Sequence, residues 1–173
     1  DGIDVFGFHL SGGETSIEVM TFGATLTRVE RPDRFGRVAD IVIGYNDLAA
    51  YATAPGNAGA ICGRHANRLA EGRFVLDGRA YQLPRNSGRH HIHGGLPHCG
   101  KCHWRAEGDE ADNSVTFCLT SPDGDQGYPG TVETRVTYRL DDAGTLHIQM
   151  RATCDRPTII NLVHHGYWNL AGR

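Results

Sequence analysis

Three short segments of this 173-residue chain carry side chains suited to moving protons on a small polar molecule. The first is Asn161-Leu162-Val163-His164-His165-Gly166-Tyr167-Trp168-Asn169-Leu170, the second His90-His91-Ile92-His93-Gly94-Gly95, and the third Ala66-Asn67-Arg68. Histidine titrates near neutrality, so it can donate or accept a proton in the working pH range. Tyrosine and tryptophan present flat apolar faces with a polar tip, the kind of surface that packs against a sugar ring. None of this chemistry happens unless segments about a hundred residues apart are brought together.

The elements that must do so are strands. Apolar and polar residues alternate with period two through most of the chain. The clearest run is Val132, Val136, Tyr138 and Leu140, a break at Asp141-Asp142-Ala143-Gly144, then Leu146, Ile148, Met150 and Ala152. Even positions are apolar on both sides of the break, which predicts a long hairpin half-buried on a sheet. Asp77-Gly78 between two short alternating runs predicts a tight turn, since both residues tolerate positive φ. Val115, Phe117 and Leu119 form another alternating strand, Ile41-Val42-Ile43 reads as a more fully buried one, and only Asp47 to Tyr51 reads as helical. With 23 glycines as punctuation, the expectation is an all-β, antiparallel sandwich in one domain over 1–173.

A net charge of -3 argues against a nucleic-acid or anionic-membrane surface. No apolar run reaches bilayer length and no leader pattern opens the chain, while five scattered cysteines favour a reducing compartment. The expected location is cytoplasmic, with a removed leader as the alternative because the sequence starts at Asp1 without a methionine.

Five segments, in order, resemble the aldose 1-epimerases, or galactose mutarotases. They are Gly63-Arg64-His65-Ala66-Asn67-Arg68-Leu69, Gly72 to Gly78, Ile92-His93-Gly94-Gly95, Ser121 to Gly130, and Asn161 to Leu170. The resemblance implies a mutarotase-type β-sandwich that interconverts the α and β anomers of free hexoses or pentoses, with no cofactor or metal. It implies that His165 is the acid that protonates the ring oxygen and that His93 binds and polarises the same region. Asn67 and Arg68 would hold sugar hydroxyls, a task suited to amide and guanidinium donors. His164 and His90 acquire no role from it. Tyr167 and Trp168 are read as core or pocket wall, and Ser121 to Gly130 as a structured turn.

Members of that family are considerably longer, and their catalytic glutamate and a substrate-binding aspartate have no match in these residues. The resemblance therefore implies an N-terminal part, with incomplete sheets and unpaired edges, whose site is completed by a C-terminal half or a second chain. The rival reading is a domain that binds carbohydrate without catalysis. A third reading rests on His98-Cys99-Gly100-Lys101-Cys102-His103, which contains the Cys-x-x-Cys-His pattern of covalent haem and donors that suit zinc. Continuous strand alternation speaks against a haem protein, and Lys101 and Trp104 keep the register of a family loop. The expectation is a surface loop with two thiols.

Overall fold

The computed structural model describes residues 2–171. Its first sheet is β1 (Gly7–Gly12), β2 (Thr15–Met20), β3 (Thr25–Pro32) and β4 (Val38–Asp40), hydrogen-bonded antiparallel in that order. A short helix, α1 (Leu48–Thr53), follows, with the Asp47 carboxylate accepting from the Ala50 N–H at 2.7 Å as its cap. Next come β5 (Ile61–Cys62), β6 (Arg68–Leu69), β7 (Arg73–Leu76), β8 (Arg79–Gln82) and β9 (His91–Ile92). The second sheet is β10 (Arg105–Asp109), β11 (Ser114–Ser121), β12 (Val132–Leu140) and β13 (Leu146–Cys154), again antiparallel in sequence order, and β14 (Val163–His164) ends the series.

One apolar core lies between the two sheets. Leu10, Ile17, Val19, Leu26 and Val29 from the first meet Val115, Phe117, Val136, Tyr138 and Leu140 from the second. Phe8 meets Phe117 edge-on with ring centroids 5.8 Å apart, and the Tyr138 hydroxyl donates to the Ala24 carbonyl at 2.7 Å. Phe117 is wholly enclosed, so truncating it to alanine is expected to cost about 3–5 kcal/mol. Among the described residues, no helix is long and apolar enough to cross a membrane.

The period-two reading of the long hairpin holds. Val136 pairs with Met150 and Tyr138 with Ile148, and even positions face inward on both strands. Burial differs between the two, because the inward residues of β12 are buried whereas Leu146, Ile148 and Met150 are only half-buried. β13 is an edge of its sheet among the described residues, and an edge strand offers unpaired backbone groups to a further strand. The Asp77-Gly78 turn forms as expected, with φ of 49° and 76°. Strict alternation fails at Thr27, an extra residue between Val19↔Leu26 and Glu18↔Arg28. That bulge shifts parity, so Leu26 and Val29 can both face the core.

The strand expected at 41–43 does not form. The carboxylate of Asp40 accepts from the backbone N–H groups of both Val29 and Val42, and β4 stops there. Val42 makes only an isolated bridge with Trp168, and Ile43 is half exposed. A side chain that competes for backbone donors has ended the ladder one step before the apolar run.

Candidate active site

His165 reaches the site on β14, which pairs with β5 through Val163↔Cys62 and His164↔Ile61. Just past the strand, its N–H donates to the Ala60 carbonyl and its own carbonyl accepts from the Gly59 N–H, both at 2.9 Å. Alternation then separates the two adjacent histidines. His164 sits edge-on to Tyr138 beside the core, with ring centroids 6.1 Å apart, and burial lowers its pKa to about 4. His165 lies instead against His93, with centroids 5.2 Å apart, and against Tyr167 at 5.1 Å. Among the described residues neither ring nitrogen of His165 has a protein hydrogen-bond partner, and the residue lines both clefts described below.

His93 and Asn67 are locked to each other where β6 meets β9. The His93 N–H donates to the Asn67 carbonyl, and the Asn67 N–H donates to His93 Nδ1, each at 3.1 Å. Both residues occupy the left-handed region, with φ of 62° at Asn67 and 54° at His93, a costly conformation for a side-chain-bearing residue. Asn67 Oδ1 accepts from the Arg68 N–H at 2.9 Å, which satisfies that turn and leaves the Nδ2 donor for a ligand. Gly94 follows His93 at φ 90°; a Cβ there would overlap the Gly63 carbonyl, so only glycine lets this loop pass over β5. Because Nδ1 already accepts a hydrogen bond, the neutral His93 ring carries its proton on Nε2. Burial first, and then the positive charges of His165 and Arg68, hold the His93 pKa below the usual histidine value.

Asn67, Arg68, His93, His165 and Tyr167 line one cleft of about 480 Å³. Beside it lies a second of about 570 Å³, which shares His93, His165 and Tyr167 and adds Asn86, His98 and Lys101. The two imidazoles form the ridge between these hollows, each large enough for a monosaccharide. Arg68 is exposed, and its guanidinium has no hydrogen-bond or ion-pair partner among the described residues. Among the described residues, no Asp or Glu lines either cleft. Beneath the ridge sits Cys62, wholly buried, and burial pushes its thiol up to about 12. One donor atom each from Cys62, His93 and His165 lie within 4.8 Å of one another.

The four residues singled out as site candidates thus converge on one concave patch. The same fold aligns with known sugar enzymes, and residues 8–173 match the sequence profile described as "Aldose 1-epimerase".

The chain belongs to the aldose 1-epimerase family.

It is 39% identical over 166 residues to the galactose mutarotase of Bos taurus, a match covering 96% of this chain and 48% of the relative. To the aldose 1-epimerase of Escherichia coli (strain K12) it is 36% identical over 156 residues, covering 90% of this chain and 45% of the relative. A GalM/aldose epimerase homologue from C. elegans superposes with a TM-score of 0.92 at 31% identity, covering 98% of this chain and 52% of that one. The galactose 1-epimerase of Lactobacillus acidophilus NCFM gives 0.86 at the same identity, covering 98% and 50%. This family member spans about half the length of the curated relatives it matches.

Several side chains take places that the sequence did not announce. Trp168 neither joins the core nor lines either cleft; it is 47% exposed, whereas Tyr167 forms cleft wall as expected. The 98–103 segment is a packed support rather than a surface loop. Trp104 is buried and its Nε1 donates to the Cys99 carbonyl, while Lys101 Nζ reaches the carbonyls of Tyr51 and Ala54 at 2.5 and 3.0 Å. Its would-be metal donors diverge. The Cys99 thiol meets the carbonyls of Ile61 and Gly63, the Cys102 thiol meets that of His98, and His103 packs on Phe22. His98 accepts from the Gly100 N–H, and burial, with the charges of His93, Lys101 and His165, lowers its pKa to about 4.

Arg64 is a buried clamp. Nε donates to Ser121 Oγ, Nη1 to the Pro129 carbonyl, and Nη2 reaches the carbonyls of Ser121, Pro122 and Gly130, over 2.6–2.9 Å. It fixes the 121–130 turn to the strand that carries Cys62, and no residue of that turn lines either histidine cleft. Cys62 and His98 could be noticed in sequence only by their neighbours, Gly63-Arg64 and the thiol motif; burial, which defines what they do, is not a local property.

Proposed function

We propose that this chain supplies one side of an aldose 1-epimerase site that interconverts the α and β anomers of free hexoses or pentoses. The reaction opens the ring: a base takes the proton of the anomeric hydroxyl while an acid protonates the ring oxygen. The aldehyde then rotates and recloses on the other face. In this reading His165, which lines the cleft and has no ring-nitrogen hydrogen bond among the described residues, is the acid. His93 donates from its Nε2–H to the same region of the sugar, and Asn67 Nδ2 and Arg68 hold hydroxyls. Acid, donors and holders are all side chains, so the scheme calls for no cofactor or metal.

The base is the missing partner. Among the described residues no carboxylate lines either cleft, and we assign the base to a glutamate on a further segment, in the same polypeptide or on a second chain, that closes over the histidine ridge. We likewise read residues 1–173 as a single mutarotase-like unit lacking the rest of the family fold, in a reducing, cytoplasmic setting consistent with five free cysteines. The observation that carries the proposal is the convergence of His93, His165, Asn67 and Arg68 on one cleft from three separate segments.

Polarimetry on freshly dissolved α-D-glucose or α-D-galactose tests it. The isolated chain should be slower than a completed protein by about two to four orders of magnitude, the usual contribution of a general base. Joining a C-terminal segment that carries the glutamate should restore His165-dependent mutarotation. Full activity from the chain alone would overturn the assignment of the base. The bare cleft also favours one rival, a carbohydrate-binding domain without catalysis; sugar binding with no mutarotation after completion would select it.

A further inference from the structure

We propose that Cys62, His93 and His165 form a soft-metal site that takes Zn²⁺, or a similar thiophilic cation, in competition with sugar. The thiol comes from β5 and the imidazoles from the turns after β9 and β14, and their donor atoms lie within 4.8 Å of one another. One sulfur and two imidazole nitrogens are a set that zinc favours, with a fourth position left open. His93 and His165 both line the 480 Å³ cleft, from which water or a sugar hydroxyl would supply the fourth ligand.

The donors need only modest closure. Zinc bonds of about 2.3 Å to sulfur and 2.0–2.1 Å to nitrogen place tetrahedral donors about 3.3–3.7 Å apart. Among the described residues the His165 ring is held by ring contacts with His93 and Tyr167 and by no hydrogen bond, so turning it toward the thiol breaks none. Binding exchanges waters of the hydrated ion for one Zn–S and two Zn–N bonds, with no change in oxidation state. Cys62 releases its thiol proton to solvent, and the His93 proton moves from Nε2 to Nδ1 at the expense of the Asn67 N–H contact. A buried thiol stays protonated for want of a countercharge, which the cation supplies. The 98–103 motif, which offered metal donors in sequence, has its two thiols turned to separate carbonyls.

A metal here occupies the lone pairs of both histidines assigned to the sugar, so it inhibits; that consequence rests on the proposed function, whereas binding itself does not. Cobalt titration of the 173-residue chain is the experiment. One equivalent of Co²⁺ should give a thiolate-to-cobalt charge-transfer band and tetrahedral visible bands, both abolished by zinc. Cys62→Val, which keeps the volume without the donor, should lose the band and weaken binding by about 100-fold or more. The double variant Cys99→Ser/Cys102→Ser should keep it.

Imidazole NMR of the wild-type chain gives a reading independent of any variant's folding, because zinc should move the His93 and His165 ring signals together. No thiolate band, a band that survives Cys62→Val, or ring signals that zinc leaves in place would each overturn the proposal. Galactose raising the apparent Kd for Co²⁺ would support competition. Metal binding that sugar does not affect would keep the metal site and reject the shared sugar site.

Discussion

The lock between His93 and Asn67 makes opposite demands on stability and function, and two substitutions separate them. Asparagine matches the Nδ1 edge of imidazole, glutamine the Nε2 edge. In His93→Asn, Oδ1 can keep accepting from the Asn67 N–H, and asparagine tolerates the left-handed φ of 54° better than most residues. In His93→Gln that bond is lost, at about 0.5–1.5 kcal/mol, and a longer side chain is strained at the same φ by up to about 1 kcal/mol more. His93→Asn should therefore be the more stable variant by about 1–2 kcal/mol in urea unfolding. Activity should run the other way. Glutamine places a donor where Nε2–H stands, whereas asparagine leaves that position empty, and a missing donor to developing charge costs about 10²–10³ in rate. Polarimetric kcat/KM of the completed enzyme should rank wild type, then Gln, then Asn. If Asn retains more activity than Gln, the donor is not on Nε2 and the deduced tautomer is wrong.

Three further outcomes follow from buried groups. His98 and His164, with pKa lowered to about 4 from an ordinary 6.5, stay neutral when folded, so the unfolded chain takes up protons first. Their stabilisation is full above about pH 6.5 and is lost as pH falls through 4, at roughly 2–3 kcal/mol each; a urea midpoint unchanged between pH 7.5 and about 4.5 would refute this. Arg64→Met removes the donors to Ser121, Pro122, Pro129 and Gly130 and should cost about 3–5 kcal/mol, read as a fall in Tm of about 10 °C; a fall under about 3 °C would show the clamp to be dispensable. Gly94→Ala forces a Cβ onto the Gly63 carbonyl at φ 90°, so the chain should lose more than about 2 kcal/mol and the Asn67–His93 contact should open, seen as faster Asn67 amide exchange.

Period-two alternation by itself announced the β-sandwich, the 132–154 hairpin with its even face inward, and the Asp77-Gly78 turn, because strand periodicity and turn chemistry are local properties of residue types. The sequence also marked His93, His165, Asn67 and Arg68 through ordered motifs that resemble one family. It did not show that Ile41-Val42-Ile43 would fail as a strand, since that depended on where the Asp40 carboxylate turns. Alternation by itself did not separate His164 from His165; only the family motif favoured the second. One step along β14 puts one ring beside Tyr138 and the other in the cleft, and only pairing with Cys62 and Ile61 decides which. The thiol motif at 99–102 drew attention in sequence by its spacing, yet its sulfurs serve as packing, while Cys62, with no motif of its own, lies close to the imidazoles of both His93 and His165. Burial, countercharge and donor convergence are sums over segments distant in the chain, so they exist only once the two sheets have closed.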